Sequence, residues 1–290
     1  LGIMSPGDPV DQVLNPNGNE SYTQAEYDAM AAKMGLDQPA VVQYFNWVGG
    51  LAHGDLGRSF FTNKSVMNQL VKRIPISLKL AGFSMILTIV FGVGSGVLMA
   101  VKKDRLLDHV LGTFSTAALS VPGFWIAIVL IFLFAEQWKL LPSSGISGGS
   151  GFILPAVTLA LPSIGVCARL TRSAILDEIG RQYMTVADAK GMSRRHAVIC
   201  HAFGNALIPI ITYLGNHMAG IIGGASIVET IFAIPGIGSY AIAGVQSKDY
   251  YVVQAYVLFS GCIYVLTNIL IDLIYIALDP KIRAGEAVES

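Results

Sequence analysis

Leu80-Ala81-Gly82-Phe83-Ser84-Met85-Ile86-Leu87-Thr88-Ile89-Val90-Phe91-Gly92-Val93-Gly94-Ser95-Gly96-Val97-Leu98-Met99-Ala100-Val101 carries no formal charge. Roughly 20 such residues cross a bilayer as a helix, so the stretch reads as a membrane span. Four more uncharged runs follow, at 110–135, 140–168, 202–228 and 250–271. Within the third, Pro142 to Gly151 is rich in Ser and Gly, which places the helix start near Phe152 and its end at Arg169 and Arg172, snorkelling to the interface. The stretch 230–247 is also uncharged, but Pro235, Gly236 and Gly238 interrupt it. Backbone broken in that way is tolerated at membrane depth only when buried in protein or lining a cavity, so this stretch reads as a loop or re-entrant segment. The expectation is an all-α polytopic membrane protein with five spans.

Composition agrees. Of 290 residues 53% are hydrophobic and 13% charged, with 19 basic residues balancing 19 acidic ones and a mean hydropathy of +0.59. Ordinary soluble domains carry about 25% charge. A soluble enzyme, a disordered tail and a nucleic-acid binder acting through a basic field are thereby excluded. Cys167, Cys200 and Cys262 are too few and too scattered for a disulfide framework or a thiolate metal site, and read as small apolar residues.

Lys102, Lys103, Arg105, Arg169, Arg172, Arg181, Lys190, Arg194, Arg195, Lys281 and Arg283 fall on one side of the spans, against Lys139 and Lys248 on the other after the first span. The basic side is expected to be cytoplasmic, leaving the N-terminal segment outside and the C-terminus inside. Leu1-Gly2-Ile3-Met4 reads as the tail of a further helix. The organisation expected is a helix tail at 1–4, an extracytoplasmic cap at 5–76, a membrane domain at 77–279 and a cytoplasmic tail at 280–290. In the cap, Thr23 with Glu26 forms a capping-box pattern for a helix near 24–34 that stops at Gly35. A second helix is expected after Pro39, a turn at Gly54-Asp55-Leu56-Gly57-Arg58-Ser59, and helical spacing over 66–74.

The chain contains no Gly-Lys dipeptide, no His-Glu-x-x-His and no paired Cys-x-x-Cys, so neither a phosphate-cradling loop nor a zinc site is built. Gly92-Val93-Gly94-Ser95-Gly96 lies inside a span with no strand before it, and is read as close helix packing. Gly220 and Gly224 are read the same way. The cytoplasmic connection 173–205 is longer than a turn requires. A helix through Thr185-Val186-Ala187-Asp188-Ala189-Lys190 stops at Gly191, and another starts at the N-cap Ser193, followed by Arg194. Two short helices meeting at a glycine make a knob that a partner can grip; the pattern equally fits a surface-lying amphipathic hairpin.

These residues resemble the permease subunits of ATP-binding-cassette importers, in the dipeptide, oligopeptide and nickel branch, first-permease type. Thr185 to Gly191 aligns with the E-A-A-x-x-x-G coupling motif: Ala187 and Gly191 match, and Thr185 stands where many importers have glutamate. Pro6-Gly7-Asp8-Pro9, Gly54 to Ser59, His201-Ala202-Phe203-Gly204-Asn205, Phe232 to Gly238, and Asn268 through Asp272 to Asp279-Pro280-Lys281-Ile282-Arg283 agree as well. Tyr251 departs from the branch, which often has proline there.

The resemblance implies a type I importer permease-like helical bundle that forms half a channel with a second, similar permease. Two cytoplasmic ATPases would hold ATP and magnesium and grip Thr185, Ala187, Asp188, Ala189, Lys190, Gly191 and Arg194. An extracytoplasmic binding protein would deliver short peptides, with nickel or another small solute as the alternative cargo. No cofactor, metal or nucleic acid is expected on this chain, whose remaining contact is membrane lipid. Glu229, Asn268 and Asp272 are candidates for the path or a gate. Asp272 in mid-span, with Asn268 one turn earlier on the same face, also fits a polar contact between helices. Glu229 fits either an outer gate or contact with interfacial water. His217 and Met218 point about 100 degrees apart on a helix, which favours packing over a nickel site. An ion-coupled transporter needs several ionisable mid-span residues where this chain offers Asp272, and a membrane scaffold does not need the knob.

Overall fold

A computed structural model describes residues 8–15, 18–146, 148–182, 184, 196, 198 and 202–278. Among them the regular structure is helical, with one isolated β-bridge between Arg58 and Ser65. Three short helices precede the membrane region: α1 (Pro9–Leu14), α2 (Gln24–Met34) and α3 (Ala40–Ala52). The capping box at the start of α2 is complete. The Thr23 hydroxyl accepts from Glu26 N while the Glu26 carboxylate accepts from Thr23 N at 2.7 Å, and Gly35 ends the helix at φ +70°.

The cap is tied to the membrane region through the Gly54–Ser59 turn. Asp55 accepts from Gly57 N at 2.9 Å, and Gly57 sits at φ +84° with a Cβ position only 2.7 Å from Tyr251 Cδ1. Glycine is required there twice over, for the left-handed backbone and for the ring that lies against it. Phe60 N donates to the Asp249 carboxylate at 3.1 Å, and burial pushes the Asp249 carboxyl above the usual range.

Among the described residues three helices are long and apolar enough to cross a membrane: α4 (Val66–Val101), α7 (Ile153–Ile179, entered through the turn Gly149–Phe152) and α11 (Tyr250–Leu278). A fourth crossing arises when α5 (Leu106–Ser120) and α6 (Gly123–Gln137) count as one bent span. The run 202–228 forms α8 (Phe203–Gly224), of 22 residues, and the start of α9 (Ser226–Ile231). The stretch after it turns back into α10 (Ile237–Gln246), whose 10 residues span about 15 Å at 1.5 Å each and do not cross.

Two expectations change. The 66–74 helix and the first span are one helix, continuous through Pro75 and widened by a π-helical turn at Thr88–Val93. The run 110–135 is not a straight span but bends by 102° at Val121-Pro122. Pro122 has no amide hydrogen to continue α5, and it forces Val121 to extended backbone, φ −95° and ψ 127°.

The bundle forms around α7, which packs on α4, α5, α6 and α8. Of its apolar stretch 61% is buried, against 6% for α11, so α7 is the hub and α11 an outer face. Glycines let the other helices approach it. The Cβ positions of Gly92 and Gly96 lie 2.8 Å from Cys167 Cβ and 2.6 Å from the Ala168 carbonyl oxygen, while that of Gly94 meets nothing within 4 Å. The close-packing reading of this motif holds for the two glycines four residues apart. It does not hold at Gly220, which has open space beside it; Gly215, pressed by Ile271 of α11, does that work on α8.

Candidate functional site

The coupling candidates Thr185, Ala187, Asp188, Ala189, Lys190, Gly191 and Arg194 lie outside the described residues. Their supports are described. Ala100 at the end of α4, Ile175 on α7, Val198, and Ala202, Ala206 and Ile210 at and inside the start of α8 form one buried apolar cluster. The connection between α7 and α8 therefore leaves and re-enters at a single block that also holds α4. Glu178, on the last turn of α7, pairs with Arg181 at 3.0 Å.

At the opposite end of the bundle stands Glu229 on α9, fully buried. Its Oε1 accepts from Ser77 Oγ of α4 at 2.5 Å and its Oε2 from Ser239 N of α10 at 2.8 Å. Ser77 Oγ in turn accepts from Ile237 N at 2.9 Å. Arg73 donates to the Gly236 carbonyl at 3.3 Å and lies 4.6 Å from the centre of the Tyr240 ring. Gly236 faces the Glu229 carboxylate with no room for a side chain, and a Cβ on Gly238 would lie 2.6 Å from Ser226 Cα. Glu229 does not reach interfacial water, being fully buried. The Pro235–Gly238 turn folds back over the carboxylate and uses it as an acceptor, because a buried turn must satisfy its own amides.

Asn268 and Asp272 share a face of α11, as their spacing requires. Asn268 Nδ2 donates to the Tyr264 carbonyl of its own helix at 3.0 Å, and Asp272 is exposed. The expected polar contact between helices is not made within the described residues. The inward face of α11 is one residue round, where Ile271 packs on Gly215 and the Tyr275 hydroxyl meets Thr212 Oγ1 of α8. His217 stacks on Tyr213 with centroids 5.6 Å apart, while Met218 packs against the apolar cluster that includes Leu80 and Ala81.

One pairing was invisible to sequence reading. Asp108, on the first turn of α5 and 4% exposed, receives both Nε and Nη2 of Arg172 at 2.7 and 2.8 Å, and also Asp104 N at 3.0 Å. Arg172 is thus tied to a buried carboxylate of α5 while 29% of its own side chain stays exposed. Nothing in the local pattern pairs positions 64 residues apart; the only signal was an acid placed beside an otherwise apolar run. Next to this pair a wide-open groove of about 710 Å³ lies between α5 and α7.

The signature of the binding-protein-dependent transport system inner membrane component matches residues 92–284. A probable peptide ABC transporter permease protein, y4tP of Sinorhizobium fredii, is 36% identical over 97% of this chain and 91% of its own. The probable D,D-dipeptide transport system permease protein DdpB of Escherichia coli is 33% identical over 98% of this chain and 91% of its own. The dipeptide transport system permease protein DppB of Escherichia coli is 34% identical over 97% and 91%. Among solved structures, an inward-facing MetNI methionine ABC transporter matches 73% of this chain and 97% of its own, with a TM-score of 0.63 at 18% identity. An amino acid ABC transporter matches 71% and 92%, with a TM-score of 0.58 at 17% identity. At those identities the two structures speak to the fold, a type I importer permease bundle.

Proposed function

The chain belongs to the family of binding-protein-dependent transport system inner membrane components, and from that membership we propose that it passes short peptides across the membrane as half of an ATP-driven importer. It is an ABC transporter permease subunit and not an enzyme. The observation that carries the peptide reading is the reach of the similarity. Identity of 33–36% extends over 97–98% of the chain, beyond the family signature at 92–284 and through the cap, to relatives described as peptide or dipeptide permeases.

In this reading a second, homologous permease completes the path, and a binding protein delivers cargo at the cap. Two cytoplasmic ATPases, carrying ATP and magnesium, grip the segment from Thr185 to Arg194. The buried block of Ala100, Ile175, Val198, Ala202, Ala206 and Ile210 supports this mechanism, since a push on the segment reaches α4, α7 and α8 together. The N-terminal side lies outside and the C-terminus in the cytoplasm. A cysteine at Ser193 is expected to react with an impermeant reagent only from the cytoplasmic side, and one at Ser144 only from outside; the reverse pattern inverts the topology.

The function is tested on the purified complex. Di- and oligopeptides, with the binding protein, are expected to raise ATP turnover and to be taken up, whereas stimulation by chelated nickel without a peptide response would overturn the cargo. In the same assay Gly191→Val is expected to leave the chain in the membrane while losing bound ATPase or uncoupling hydrolysis from uptake. A side chain forced into a left-handed position costs about 1 kcal/mol, too little to unfold the bundle but enough to misplace a knob. Wild-type values for both would place the ATPase contact elsewhere.

A further inference from the structure

Helix α5 presents two outward stripes. Leu107, Val110 and Phe114 are exposed on one side and suit hydrocarbon. About a third of a turn away, His109, Thr113, Thr116 and Ser120, at spacings of four, three and four residues, are also exposed. This second stripe lines the groove of about 710 Å³, whose opposite wall carries Arg169 and Arg172 of α7. Thr116 and Ser120 each give their hydroxyl proton to the carbonyl four residues back at 3.0 Å, which leaves oxygen lone pairs facing the groove.

Charge within the groove is asymmetric. Arg172 is neutralised by its two-pronged pairing with Asp108. Arg169 is exposed and makes no ion pair among the described residues. The groove therefore presents one uncompensated guanidinium beside a ladder of hydroxyls. From Thr113 to Ser120 the hydroxyls climb about 10 Å along α5, at 1.5 Å per residue. A lipid headgroup at the inner leaflet would meet Arg169 but has no use for hydroxyls that deep, and acyl chains would be poorly matched to them.

We propose that this groove is a station on the inner half of the translocation path, where Arg169 receives the terminal carboxylate of a peptide and the α5 hydroxyls hydrogen-bond its amide groups. The proposal rests on the peptide reading above. A guanidinium matches a carboxylate with two parallel hydrogen bonds. The Asp108–Arg172 pair holds the second guanidinium away, so the station carries one charge. A transport path must hold its cargo loosely enough to release it, as a doubly cationic pocket would not.

The test uses the assembled complex with Thr116→Cys, labelled from the cytoplasmic side by an anionic or a cationic methanethiosulfonate and read at that site by mass spectrometry. With each rate divided by that reagent's rate on a free thiol in solution, the anionic reagent is expected to react about threefold faster than the cationic one, as a single nearby charge in a watery cleft dictates. Arg169→Gln is expected to remove that preference, and peptide turnover with the binding protein to slow the labelling. Failure of either reagent to reach Thr116→Cys would show a lipid or protein contact and overturn the station, as would a preference that survives Arg169→Gln. Uptake by the wild-type complex separates the two proposals. Peptide uptake without protection of the cysteine overturns the station alone, whereas absence of peptide uptake overturns the peptide reading.

Discussion

Replacing Glu229 by leucine is expected to abolish uptake and to cut the yield of assembled complex severalfold. The carboxylate accepts from Ser77 Oγ and from Ser239 N while fully buried. Leucine would leave both donors facing apolar atoms, at about 1–3 kcal/mol for each unsatisfied group. That sum is a large share of the roughly 5–15 kcal/mol that stabilises a folded protein. The leucine branch would also press on Gly236, which has no space for a Cβ because the carboxylate fills it. Glu229→Gln should be far milder. Its amide oxygen can accept from Ser239 N while its NH₂ group donates to the second lone pair of Ser77 Oγ, the first being taken by Ile237 N. Complex recovery by size exclusion and peptide uptake, measured side by side, check this. Normal recovery and uptake for the leucine variant would mean that the turn holds without its acceptor.

Gly96→Val should prevent a folded bundle from accumulating in the membrane, whereas Gly94→Val, two residues away in the same motif, should behave nearly as wild type. A Cβ at Gly96 would lie 2.6 Å from the Ala168 carbonyl oxygen and 2.5 Å from Thr171 Cβ, whereas at Gly94 it meets nothing within 4 Å. Inserting methyl groups into a packed interior typically costs about 1–3 kcal/mol, and here the obstacle is backbone of the hub helix, which cannot swing aside as a side chain would. Membrane-fraction yield and thermal stability of the two variants decide it. Equal behaviour would mean that α4 and α7 stand further apart than this packing requires.

Local signals were legible because they depend on neighbours in the chain. The capping box at Thr23 and Glu26, the stop at Gly35, and the break at Pro235 and Gly236 are each completed within a few residues, and each formed as read. The bend at Pro122 was equally local, but the apolar run around it masked the one residue that mattered. The coupling segment was legible as a motif, and its residues lie outside those described.

The sequence by itself determined that this chain lives in a membrane and which backbone stretch must be sheltered, since apolar length, missing charge and broken backbone act residue by residue against lipid, whereas of the five spans expected the described residues hold three, or four with the bent pair. Tertiary structure alone decided what the polar residues do. Glu229 became the acceptor for a returning turn because α4, 152 residues earlier, brings Ser77 against it. Asp108 and Arg172, 64 residues apart, neutralise each other because α7 is the hub on which α5 packs. Asp272 stays on the outer face because Ile271, its neighbour, turns inward to fill the notch at Gly215. A buried polar group is fixed by whichever partner the packing delivers, and that partner leaves no mark on the local pattern.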